Sequence, residues 1–133
     1  MFHGHYLLLM CFCYVVTISV ETPILMIGLS RRHRLRHRVF AGIWLTACTY
    51  PFVWLVFPAL IDPLENWTLY LVVAETFAPV AECLLFWLAF GNTKPRTRAA
   101  LVQDMCVIVL ANLASFGVGE WLWIQGWFGW FVT

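Results

Sequence analysis

The chain has 133 residues, 62% of them apolar and only 11% charged, with a mean hydropathy of +0.82. Soluble domains carry roughly 25% charged residues, and one this short could not hide so much apolar surface, so lipid is the implied solvent. The net charge of +1 gives acidic partners no strong attraction, and the few basic residues sit in two short loops, which leaves nucleic acid no footprint.

The start, Met1-Phe2-His3-Gly4-His5, offers two imidazoles, which fall short of a metal site. The first span is expected over Tyr6–Leu29. It lacks a basic leader and a small-x-small cleavage site, so it reads as a retained helix rather than a removable signal. Tyr14, Thr17, Glu21 and Gly28 share one helical face. A loop follows, Ser30–Arg38, with five arginines and two histidines. The second span, Val39–Ile61, places Gly42, Thr46, Thr49 and Tyr50 together. The loop Asp62–Asn66 has two acidic residues and no basic one. The third span, Trp67–Phe90, aligns Thr68, Glu75 and Glu82. The loop Asn92–Arg98 carries Lys94, Arg96 and Arg98. The fourth span, Ala99–Ile124, aligns Asp104, Asn112, Ser115 and Gly119. The tail, 125–133, is too short to span and is expected in the outer headgroup region or against a partner subunit.

These features predict an all-α polytopic membrane protein, a single four-transmembrane-helix bundle in the lipid bilayer. All eight Lys and Arg fall in the first and third loops. The positive-inside rule puts those loops in the cytoplasm and both termini outside, in a multi-pass protein of the plasma (inner) membrane. Anionic headgroups are a second role for the basic loops. Trp67, Trp121, Trp123, Trp127 and Trp130 form an expected outer aromatic belt.

Each span has one polar stripe, and polar groups in hydrocarbon should converge inside the bundle. Glu21 and Glu82 fall at matching depth, roughly 12–14 Å from the cytoplasmic helix ends at 1.5 Å per residue. No Lys, Arg or His lies within a span to neutralise them. Asp104, near the cytoplasmic end, and Glu120, near the outer end, are each within reach of an interface. Pro23, Pro51, Pro58 and Pro79 free backbone carbonyls near these stripes. The small rows Ala111/Ser115/Gly119 and Ala74/Ala78 predict a tight third–fourth pair, or a homodimer seam. The segment Val20-Glu21-Thr22-Pro23 echoes Ala74-Glu75-Thr76 and points to a tandem hairpin duplication. The five cysteines are odd in number, form no CxxC pair and all lie in apolar spans, so they read as packing residues.

The leading functional reading is a small transporter or channel-like protein for protons or a cationic substrate. Glu21, Glu75 and Glu82 would bind and exchange the cation, with Thr49, Tyr50 and Asn112 supplying neutral contacts. A homo-oligomer is expected, because four helices are few to enclose a pathway. The alternative is an accessory or assembly subunit whose glutamates meet a partner's Arg or Lys. A second alternative is a glutamate-based intramembrane enzyme. No nucleophile–base pair, intramembrane haem ligand or phosphate-binding glycine loop is present, so enzyme chemistry ranks below transport and no cofactor is expected.

Overall fold

A computed structural model of the protein describes residues 4–131, without the side chains of Trp130 and Phe131. His3, Val132, Thr133 and the Trp130 indole therefore lie outside the described residues. Four helices, α1 (Gly4–Gly28), α2 (Leu35–Leu60), α3 (Trp67–Phe90) and α4 (Arg98–Ile124), are each long and apolar enough to cross a membrane. A short 3₁₀ turn, Trp127–Phe131, follows. Consecutive helices run antiparallel, so α1 and α3 are parallel. Tyr6 meets Trp54 and Arg38 meets Met26 across α1–α2. Gln103 meets Gly28 and Ser115 meets Glu21 across α1–α4.

Helix α2 starts at Leu35, ahead of the apolar stretch at Val39. Its first turn carries Arg36, His37 and Arg38, good enough helix formers that hydropathy alone places outside the span. Helix α4 starts at Arg98, where the Thr97 hydroxyl accepts the Ala100 amide at 3.1 Å. That satisfies one of the orphan donors of a helix start.

The prolines of α2 shape its C-terminal half. Past Pro51 the helix widens into a π turn, Phe52–Val56. Pro58 has no N–H, so the carbonyls of Val53 and Trp54 lose their partners five and four residues on. Tyrosines replace them. The Tyr70 hydroxyl donates to the Val53 carbonyl at 3.1 Å and that of Tyr6 to the Trp54 carbonyl at 2.6 Å. Backbone groups freed in the apolar layer are thus satisfied by neighbouring helices.

The tightest helix approach is not the expected third–fourth pair. A Cβ placed on Gly42 would lie 2.5 Å from Thr22 Oγ1 and 2.8 Å from Thr22 Cα, so α1 and α2 cross in near backbone contact. The small row on α4 serves three separate purposes. Ala111 sits in the core with Leu25, Leu45, Phe86 and Ile108. Ser115 hydrogen-bonds Glu21, and a Cβ on Gly119 would meet nothing within 4 Å. Gly42→Leu is therefore expected to lower bundle stability by about 1–3 kcal/mol, the usual range for overpacking. Gly119→Ala should leave it unchanged. Thermal unfolding in detergent measures both, and equal behaviour of the two variants would contradict this crossing.

At the basic end Asp104 gathers the first loop. Its carboxylate, fully buried, accepts from the Ser30 amide at 2.7 Å, the Ser30 hydroxyl at 3.1 Å, and Arg32 Nη2 at 2.7 Å and Nε at 3.1 Å. His33 Nε2 completes the set at 3.0 Å. The sequence leads one to expect Asp104 at an interface, in a span without cations. Instead the loop folds inward and brings a cation to it. Arg32 also donates to the Thr93 carbonyl, tying the two basic loops together. Arg38 donates to the carbonyls of Met26, Ser30 and His33, which closes the C-terminal end of α1.

The His33 ring is buried edge-on to Phe86 and Phe90, with centroids 5.1 and 5.9 Å away. Its Nδ1 has no partner. Burial pushes its pKa below the ordinary 6.5, against the opposing pull of Asp104. A neutral ring leaves only a lone pair unmatched, whereas a charged ring would strand a buried N–H. Below about pH 6.5 the unfolded chain takes a proton that the folded chain refuses, so this contribution to stability is lost as pH falls. Melting temperature should drop between about pH 7.5 and about pH 5.5, and His33→Gln should flatten that slope. An identical slope in the variant would reject His33 as the source.

Candidate functional site: a paired-carboxylate cavity

Midway along the bundle, Glu21 on α1 and Glu82 on α3 are each only 2% exposed. Both border one cavity of about 200 Å³ that extends to Trp67, Glu120 and Phe128 at the end away from the basic loops. The six residues expected to bind a cation line it: Glu21, Glu75, Glu82, Thr49, Tyr50 and Asn112; Tyr14, Thr68 and Asp104 of the same polar stripes do not.

Burying a carboxylate is costly unless its oxygens are hydrogen-bonded. Each of these receives two donors. Glu21 Oε2 accepts from Thr46 Oγ1 at 2.7 Å and Oε1 from Ser115 Oγ at 2.6 Å. Glu82 Oε2 accepts from Asn112 Nδ2 at 2.7 Å and Oε1 from Thr49 Oγ1 at 3.0 Å. Thr46 and Thr49 are three residues apart on α2, and Asn112 and Ser115 three apart on α4. This gives both carboxylates the same mean depth. Thr46 is the donor nearer the basic loops on α2 and Ser115 the one farther from them on α4; for Glu82 the order is reversed.

The arrangement is a pseudo-two-fold about an axis along the bundle. Exchanging α1–α2 with α3–α4 maps Glu21 onto Glu82, Thr46 onto Asn112 and Thr49 onto Ser115. The bond within each hairpin and the bond across hairpins then exchange with their counterparts. The sequence echo has the wrong register, because it aligns Glu21 with Glu75. Symmetry of donors, rather than the Glu-Thr dipeptide, identifies the equivalent residue.

The hydroxyls have second acceptors. Thr46 Oγ1 is 3.0 Å from the Gly42 carbonyl, Thr49 Oγ1 3.2 Å from that of Leu45, and Ser115 Oγ 3.0 Å from that of Asn112. Each hydroxyl has one proton to donate. When a carboxyl is ionised, the hydroxyl points at it. When the carboxyl is protonated, it can donate to the hydroxyl, which turns to its own helix backbone. Both protonation states are thus accommodated without stranding a buried donor. Asn112 donates its second N–H to the Ile108 carbonyl at 3.0 Å and stays fixed.

Thr46 and Ser115 lie on the polar stripes but are not among the expected site residues. Their signal is the three-residue spacing to Thr49 and Asn112. Cys13 and Glu120 also line the cavity. Glu75 is half-buried there and, like Glu120, has no hydrogen-bond or ion-pair partner among the described residues. All five cysteines are free thiols. Among the described residues no three His, Cys, Asp or Glu side chains group closely enough to hold a metal ion.

Four apolar spans around this polar centre define a multi-pass α-helical membrane protein. No protein-family model, curated protein or solved structure matches the chain.

Proposed function

We propose that this protein is a small membrane transporter or channel-like protein that exchanges a proton for a cation at the Glu21–Glu82 site. The observation that carries the reading is the pair of nearly inaccessible carboxylates on one cavity, with neutral donors and no basic side chain among their hydrogen-bond partners. Two carboxylates sharing a low-dielectric site do not both ionise readily, so a proton or a cation must complete them. Intramembrane carboxylates of this kind are expected on ion or proton pathways. The assembly-subunit reading has less support, because both glutamates already have partners within the chain.

The test is uptake into proteoliposomes. A proton gradient should drive accumulation of a cation, and Glu21→Gln or Glu82→Gln should reduce it to the level of empty vesicles. Wild-type uptake by both variants would refute the proposal.

The same reading puts the basic loops in the cytoplasm, with the cavity facing outward across the plasma (inner) membrane. Its support is that Arg31, Arg34, Arg36, Lys94, Arg96 and Arg98 are all exposed at one end, opposite Asp62 and Glu65. An impermeant maleimide added outside cells should label a cysteine introduced at Glu65 and spare one at Arg96. Labelling of the second alone would invert the topology.

A further inference from the structure

The two-fold relation between the hairpins is lost toward the end away from the basic loops. Four residues beyond Thr46 and Asn112 it still holds, with Tyr50 and Phe116 both lining the cavity. Eight residues beyond, Trp54 on α2 answers to Glu120 on α4, and both line it. Glu75, on α3, also belongs to the second hairpin. The outer half of the cavity therefore holds two carboxylates, from α3 and α4, among aromatic rings from α2 (Tyr50, Trp54), α3 (Trp67, Tyr70) and α4 (Phe116). Tyr50 and Trp54 stack with centroids 5.8 Å apart at 28°, so the two rings on α2 form one aromatic block.

We propose that this outer chamber takes a small monovalent organic cation, a protonated amine or quaternary ammonium with an apolar body. The proposal rests on the exchange reading of the glutamate pair and names the substrate class for it. A cation with an apolar body matches both kinds of lining at once. Its charge meets Glu75 and Glu120, and its hydrocarbon and positive edge meet the aromatic rings. A bare alkali ion would leave the aromatic rings without a role, since it needs a shell of oxygens. A neutral apolar ligand would leave two carboxylates in the chamber without a counter-charge. Pockets for drug-sized molecules run from about 300 Å³ upward, so a cavity of about 200 Å³ restricts the cation to a few heavy atoms around its charge.

Cys13 lines the same cavity and reports on occupancy. The experiment uses the full chain in detergent or nanodiscs, with benzylammonium as probe, benzyl alcohol as its neutral counterpart and potassium as the inorganic cation. One readout is the rate at which a cationic thiol reagent modifies a variant retaining Cys13 alone. The second, on the unmodified chain, is quenching of tryptophan fluorescence, because Trp54 and Trp67 line the cavity. Benzylammonium should protect Cys13 and change the fluorescence saturably, while benzyl alcohol and potassium at equal concentration do neither. Glu75→Gln should weaken benzylammonium at least tenfold, and Phe116→Leu about threefold to tenfold. Equal protection by benzyl alcohol, or unchanged affinity in Glu75→Gln, overturns the proposal. Absence of benzylammonium binding, with uptake of another cation still dependent on Glu21 and Glu82, overturns the substrate class and leaves the exchange reading standing. Loss of that dependence as well overturns both.

Discussion

Asp104→Ala is expected to destabilise the folded bundle by about 3–5 kcal/mol, the range for removing one partner of a buried ion pair. The carboxylate has no exposed surface and holds Ser30, Arg32 and His33 at once. Without it the Arg32 guanidinium keeps only the Thr93 carbonyl and the Ser30 hydroxyl, and His33 loses the partner of Nε2. Two basic groups would then be buried at an end already rich in positive charge. Opening the loop to hydrate them would release α1 from α4. Asp104→Asn keeps the shape and one acceptor oxygen, so it should fall between wild type and alanine. Unfolding in a graded denaturing detergent would measure the order. Wild-type stability of Asp104→Ala would mean that the loop is held by something other than this carboxylate.

The second large effect is on activity. Glu21→Gln and Glu82→Gln should each abolish cation-coupled exchange while shifting stability by no more than about 1 kcal/mol. The donors explain the tolerance. In Glu21→Gln, the Thr46 or Ser115 hydroxyl can turn to its backbone acceptor 3.0 Å away, leaving room for the new amide N–H. In Glu82→Gln, Asn112 keeps its bond to the new carbonyl oxygen and Thr49 turns to Leu45. Charge is lost, but hydrogen bonding is not. The double variant should be no worse than either single one, because groups that act as a unit are strongly non-additive. Additive, partial losses would argue for two independent sites.

Much of this arrangement is legible from the residues. Four hydrophobic stretches of spanning length define the helices, and the constant rise of a helix places Glu21 and Glu82 at one depth. Helical periodicity puts Thr49, Tyr50 and Asn112 on the faces that line the cavity. What escapes depends on how helices rotate against one another. Periodicity places Thr46 and Ser115 on polar stripes without saying that both serve Glu21. Small residues at four-residue spacing on α4 look like a seam, while the close crossing needs a single glycine, Gly42, opposite Thr22. The Asp104 contacts join residues more than seventy positions apart, through a loop whose arginines read as a solvated topology signal. The π turn in α2 follows from Pro51 and Pro58, yet its tyrosine partners come from α1 and α3, which local sequence does not reveal.

In the proposed exchange, Glu21 and Glu82 together hold a proton that a cation displaces. Proton release on cation binding tests it most directly, in weakly buffered detergent solution near neutral pH. The wild-type protein should release about one proton for each cation bound, and Glu21→Gln and Glu82→Gln should release none. Binding without proton release in the wild type, or undiminished release in both variants, would rule out proton–cation exchange at this pair.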